Sequence, residues 1–94
     1  MRHVILIGLC AAALAGALAP SASARGCAPT SHAYPLFATN TSCTTARAVA
    51  RAYGTRYTSK RVLGFGCRVV GLDSAADPVV LCTRGAARVR WHGY

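Results

Sequence analysis

The sequence predicts a small α+β domain in which one helix packs on a three-stranded antiparallel sheet that a short fourth strand can extend. Three observations lead to this fold class. Apolar residues repeat at helical spacing over residues 43–53, they alternate at strand spacing from residue 63 onward, and four cysteines lie between residues 27 and 82. One helix followed by three strands is most simply arranged as two layers around a single core.

The first 24 residues predict a secretory signal peptide. Arg2 and His3 form a short basic start, residues 4–19 are almost entirely apolar, and residues 22–24 (Ala-Ser-Ala) form a small-residue cleavage site. An apolar run of 16 residues is shorter than the roughly 20 that span a bilayer, which argues against a membrane anchor. We therefore expect the protein to be exported and secreted.

The remaining chain divides into two parts. Residues 25–35 contain several Gly, Pro and Ser residues, which predicts an irregular N-terminal segment. Residues 36–94 carry the periodic patterns and form the single α+β domain.

Residues 43–53 are the predicted helix. Thr41 or Ser42 can cap its first turn with a hydroxyl, and Gly54 can end it. The stripe expected to face the sheet consists of Cys43, Ala46, Val49, Ala50 and Tyr53.

Alternation of apolar and polar residues predicts the strands. The first starts at Leu63 and places Phe65, Cys67 and Val69 on the inner face, and residues 79–83 form the second. The third follows the turn at Arg84-Gly85 and directs Ala87, Val89 and Trp91 inward. Residues 36–40 are the candidate for a fourth strand.

The cysteines predict two disulfides, because an exported chain with an even number of cysteines normally pairs all of them. The residues are Cys27, Cys43, Cys67 and Cys82. Three pairings are open. We favour a bond from Cys43 on the helix to Cys67 or Cys82 on the sheet, with Cys27 taking the remaining partner. A Cys67–Cys82 bond is the alternative, because these two lie across a predicted turn.

The charge is strongly one-sided, with 11 Lys and Arg against 2 Asp and Glu, for a formal net charge of +9. Such a surface favours a polyanion: nucleic acid, an anionic envelope polymer or lipid head groups. The alternative interpretation is a solvated cationic surface that keeps the protein soluble. The candidate polyanion-binding residues are Arg47, Arg51, Arg56, Lys60, Arg61, Arg68, Arg88 and Arg90.

Few side chains are suited to catalysis. The only acidic residues, Asp73 and Asp77, flank a predicted turn. His32 and His92 would have to meet to cleave RNA by acid–base chemistry, and no spacing brings them together. No two cysteines have the Cys-x-x-Cys spacing that is typical of a zinc site. We expect a non-enzymatic protein without metal or cofactor.

The alternative function is a module that binds a secreted or envelope protein partner, such as a hydrolase inhibitor or effector. Such a module would present residues 56–61 to its partner.

Three segments resemble a loose class of short exported actinobacterial proteins. They are Ser-Cys-Thr-Thr-Ala-Arg-Ala-Val at residues 42–49, Gly-Phe-Gly-Cys at 64–67 and Val-Leu-Cys-Thr-Arg-Gly at 80–85. The class pattern is S-C-x-x-A-R-x-V, then G-[FWY]-x-C, then V-x-C-x-R-G with a basic β ending. The resemblance covers residues 41–91 and implies no established activity and no catalytic residues.

Overall fold

The computed structural model describes residues 23–94. The predicted signal peptide, apart from its last two residues, lies outside the described residues. No helix within this part of the chain has the length and apolar character that crossing a membrane requires. The elements in chain order are β1 (Arg25–Cys27), β2 (Ala33–Thr39), α1 (Cys43–Tyr53), β3 (Lys60–Val62), β4 (Phe65–Leu72), β5 (Pro78–Arg84) and β6 (Ala87–Gly93).

All six strands form one antiparallel sheet in the order β1-β2-β6-β5-β4-β3. The α+β class is confirmed, but the predicted strand count is too low. The segment expected to be irregular, 25–35, contains β1 and the start of β2. The connection after the helix contains β3. Both missed strands have three residues, which is too short to show an alternating pattern, and they form only by pairing with a longer neighbour.

The helix has the predicted bounds and the predicted caps. The Ser42 hydroxyl oxygen accepts a hydrogen bond from the Thr45 N–H at 3.0 Å. At the other end Gly54 adopts a φ of 77° and its N–H donates to the Ala50 carbonyl at 3.2 Å. These contacts satisfy backbone groups that a helix leaves free at its ends.

The core lies between α1 and one face of the sheet. Four of the five predicted helix positions are buried, and Cys43 is half-buried. The Tyr53 ring meets the Trp91 ring edge-on, with 5.5 Å between centroids. Trp91, as predicted, points inward and is 1% exposed. Further buried side chains of the sheet complete this layer: Leu36, Ala38, Phe65, Val80, Cys82 and Val89.

Leu63 is a correction to the predicted first strand. It lies in the turn between β3 and β4, with a φ of 51°, and is 57% exposed. Gly64 follows it with a φ of 83°. Because β3 pairs back on β4 through Val62 and Phe65, the two residues between them form the hairpin turn and take no part in the core.

The structure contains two disulfides, but the favoured pairing is wrong. Cys27 bonds to Cys43, and Cys67 bonds to Cys82. The reason is β1, which pairs with β2 and brings Cys27 to the start of α1. Cys67 and Cys82 are directly opposite on β4 and β5, with Cα atoms 4.0 Å apart. The alternative Cys67–Cys82 bond is therefore the one found, and the two disulfides indicate an oxidising environment.

Candidate polyanion interface

The sheet has one covered face and one open face. Val89 and Trp91 of β6 are buried against α1, so the alternate residues Arg88 and Arg90 lie on the opposite face. No helix of residues 23–94 packs on that face, since α1 makes its contacts on the core side. The open face is therefore where this fold displays its outward-directed strand residues.

Strand register places four arginines together on the open face. Directly opposed residues of antiparallel strands share a face. One row runs from Thr39 through Arg88, Thr83 and Gly66 to Arg61. The adjacent row runs from Phe37 through Arg90 and Leu81 to Arg68. All four arginines are exposed. We call the group Arg61, Arg68, Arg88 and Arg90 the arginine face.

Two depressions are lined by residues of the arginine face. A depression of about 580 Å³ is lined by Phe37, Thr39, Val70, Leu81, Arg88 and Arg90, together with Ala24, the last residue of the predicted signal peptide. A second, more open depression of about 510 Å³ includes Arg61, Gly66 and Arg68 in its lining. The first depression thus combines two guanidinium groups with apolar neighbours, which suits a ligand with both anionic and apolar parts. The second is also lined by Ser59, Lys60 and Thr83, so its neighbours are largely polar or charged.

The arginine face carries uncompensated positive charge. Within the described residues the single ion pair joins Asp73 to His92, and no carboxylate reaches an arginine. The Arg61 guanidinium donates to the Gly64 carbonyl at 3.4 Å. Exposed guanidinium groups without acidic partners keep their donors available for an external anion.

The other four predicted binding residues do not belong to the arginine face, although Lys60 lines the second depression together with Arg61 and Arg68. Arg47, Arg51 and Arg56 lie on the helix and in the connection that follows it. The Nε of Arg47 is buried without a hydrogen-bond partner. The Lys60 ammonium donates to the Tyr53 carbonyl at 3.0 Å and lies 4.3 Å from the Tyr53 ring centroid. Lys60 therefore caps the C-terminal end of α1, where a cation is favoured.

Phe37 also lies on this face, although no predicted binding residue comes from its strand. Its neighbours Leu36 and Ala38 are both buried, so strand alternation directs them to the core. The same alternation places Phe37 and Thr39 on the outer phase. The signal was present in the sequence, but only the pairing of β2 with β6 puts Phe37 beside Arg90.

The two histidines of the described chain engage different partners. The His92 Nδ1 donates to the Asp73 carboxylate at 2.8 Å, and the His32 Nδ1 donates to the main-chain oxygen of Tyr94 at 2.9 Å. The Asp73 carboxylate also accepts from the backbone N–H groups of Ala75 and Asp77. The hydrogen bond from His92, then those from the backbone, hold the pKa of Asp73 below its ordinary value. In residues 23–94 no three His, Cys, Asp or Glu side chains form a group able to hold a metal.

Comparison of the chain with protein-family models, with curated proteins and with solved structures finds no match. The resemblance to short exported actinobacterial proteins stays a prediction. The function is therefore inferred from the arginine face and its surroundings.

Proposed function

We propose that the protein is a small, exported, non-enzymatic domain that binds an anionic polymer through the arginine face. The observation that carries this proposal is the gathering of Arg61, Arg68, Arg88 and Arg90 on a sheet face that no helix of residues 23–94 covers, with no acidic partner among these residues. Arginine suits such a ligand, because its planar guanidinium donates two parallel hydrogen bonds to one phosphate, sulfate or carboxylate group.

The spacing of the arginines fits a repeating anion. Arg88 and Arg90 are two residues apart on β6, which places them about 7 Å apart along the strand. Neither lies opposite another arginine, since Thr83 and Leu81 occupy the opposed positions on β5. Like charges in direct opposition destabilise a sheet. The arrangement therefore spreads several cations over one surface while avoiding the closest repulsive contacts.

The scaffold beneath the arginine face is rigid. The Cys67–Cys82 disulfide joins β4 to β5 next to the pair Arg68 and Leu81. The Cys27–Cys43 disulfide fixes β1 and the start of α1 at the other side of the sheet. A preorganised surface binds with less loss of conformational entropy than a flexible basic tail.

Export supports the same proposal. The predicted signal peptide and the two disulfides both point to an oxidising compartment, where envelope polymers, extracellular nucleic acids and lipid head groups present anionic surfaces. The alternative of a loop at residues 56–61 that binds a protein partner has less support. Lys60 is held by Tyr53, and residues 60–62 are part of the sheet.

The proposal is tested by heparin retention of the oxidised protein over a salt gradient. The double variant Arg88→Gln/Arg90→Gln removes two charges from the arginine face. Its matched control, Arg51→Gln/Arg56→Gln, removes two charges from the helix side. We expect the first variant to elute at clearly lower salt than the control, because each anion contact contributes to the salt dependence of binding. Equal shifts for both variants, or no retention of the unaltered protein at low salt, would refute the proposal.

A further inference from the structure

Phe37 is a large apolar side chain on a sheet face that no helix of the described part of the chain covers. The alternating residues Leu36 and Ala38 are 1% and 0% exposed, so Phe37 points away from the core. It is half-buried and has no aromatic partner within the described residues. Its position is therefore not explained by core packing.

The space beside Phe37 is open on one side and cationic on the other. Gly26 of β1 is directly opposite Phe37, and a Cβ added at Gly26 would meet no atom within 4 Å. Arg90 of β6 is opposite Phe37 on the other side. A planar group can therefore lie against Phe37 above Gly26 while a linked anion reaches the guanidinium of Arg90.

Other apolar side chains line the same depression. Leu81 and Val70 contribute to its lining together with Phe37, Arg88 and Arg90. A ligand that matches this surface combines a flat, weakly polar ring with an anionic group in each repeat. Proteins that bind single-stranded nucleic acids use this combination, with aromatic side chains stacking on bases and a basic groove following the backbone. A duplex keeps its bases stacked inside and does not offer them to Phe37.

We infer that the anionic polymer bound by the arginine face is a single-stranded nucleic acid, with a base stacked on Phe37 and the adjacent phosphates bound by Arg88 and Arg90. This inference rests on the proposed function and assigns its ligand class. Phe37 is the specificity-determining residue, since it distinguishes a nucleobase polymer from polyanions without rings. Gly26 keeps the space for the base free.

The test compares three probes: a short single-stranded oligothymidine, a duplex of the same length and inorganic polyphosphate. Fluorescence anisotropy measures the binding of labelled oligothymidine and duplex, and polyphosphate is measured by its competition with labelled oligothymidine. The variants are Phe37→Leu, which keeps an apolar side chain, and Gly26→Val, which fills the space beside the ring without changing charge. We expect both variants to weaken oligothymidine binding at least about fivefold, as loss of one stacked base would. Polyphosphate binding should be unchanged in both, and the duplex should bind more weakly than the single strand.

The outcomes separate the two proposals. If Phe37→Leu and Gly26→Val bind oligothymidine and polyphosphate as tightly as the unaltered protein does, the inference is overturned while the proposed function stands. If neither probe binds at low salt, both fail. Anionic phosphatidylglycerol vesicles serve as a third arm, and binding to vesicles but not to oligothymidine would also overturn the inference. Unchanged melting temperature of Phe37→Leu, measured by circular dichroism, confirms that any loss arises at the surface.

Discussion

The Asp73 carboxylate accepts a hydrogen bond at 2.8 Å from the His92 imidazole and thereby joins the β4–β5 turn to β6. The other oxygen of the same carboxylate accepts from the N–H groups of Ala75 and Asp77 at 2.8 and 2.9 Å. One acidic side chain thus fixes both the turn and its position against the last strand.

This relationship predicts a specific acid sensitivity. The pKa of Asp73 is lowered in the folded protein from its ordinary value of 3.8, first by His92 and then by the Asp77 backbone N–H. A carboxyl group whose pKa is lower in the folded protein than in the unfolded chain stabilises the fold at pH values above its unfolded-state pKa. This stabilisation is lost as the pH falls through the pKa of the folded state. Asp73→Asn should therefore lower the melting temperature at neutral pH, and the difference should disappear in strong acid.

Melting curves recorded by circular dichroism across the acid range measure this effect. Asp77→Asn is the matched control, because within the described residues the Asp77 side chain accepts no hydrogen bond. A difference for Asp73→Asn that stays constant down to strong acid would contradict the assignment.

The disulfide pairing gives a second prediction. Digestion under non-reducing conditions should yield one fragment that links Cys27 to Cys43 and another that links Cys67 to Cys82. Replacing either pair by alanine should destabilise the protein by about 2–4 kcal/mol, because the bonds close loops of similar length. The Cys67/Cys82 double variant should lose more, since these side chains are 3% and 0% exposed and their removal also leaves a cavity. Fragments that join Cys43 to Cys67 or Cys82 would disprove the observed connectivity.

The core depends on Trp91, which packs edge-on against Tyr53. Trp91→Ala should cost about 3–5 kcal/mol in the free energy of unfolding, because a large buried ring is replaced by a cavity. Urea denaturation with both disulfides intact measures this loss. Tyr34→Ala is the comparison, because Tyr34 is 62% exposed. An equal loss in the two variants would mean that Trp91 is not a core residue.

Gly93 lies directly beneath Tyr57. A Cβ at this position would overlap the Tyr57 hydroxyl and ring, whereas a Cβ at Gly26 would meet nothing. Gly93→Ala should therefore destabilise the protein by about 1–3 kcal/mol, as overpacking does, and Gly26→Ala should have little effect.

Tyr57→Ala supplies the space that an alanine at position 93 needs. The double variant Gly93→Ala/Tyr57→Ala should thus lose less stability than the sum of the two single changes, because the overlap exists only when both side chains are present. Strict additivity in urea denaturation would show that Tyr57 does not cover Gly93.

Local features of the structure follow closely from the sequence. The helix begins at Cys43 and ends at Tyr53 as the pattern predicts, with Ser42 and Gly54 as its caps. The alternation in β6 correctly separates buried Val89 and Trp91 from exposed Arg88 and Arg90. These features depend on residues only a few positions apart in the chain, so the local sequence pattern is enough to predict them.

Other features depend on contacts between distant segments. The three-residue strands β1 and β3 carry no periodic signal and exist because longer strands pair with them. Cys27 meets Cys43 only because β1 runs antiparallel to β2, and this placement overturned the favoured pairing.

The sequence by itself determined the helix, the phases of the main strands, the presence of two disulfides and the excess of positive charge. Only the tertiary structure decided which cysteines bond, and which basic residues meet. Arg61, Arg68, Arg88 and Arg90 come together through strand register, while Lys60 is turned to the core side and bound by Tyr53. The physical reason is range: helix caps and alternation arise from local backbone geometry, whereas register and disulfide pairing arise from the way the whole chain packs around its core.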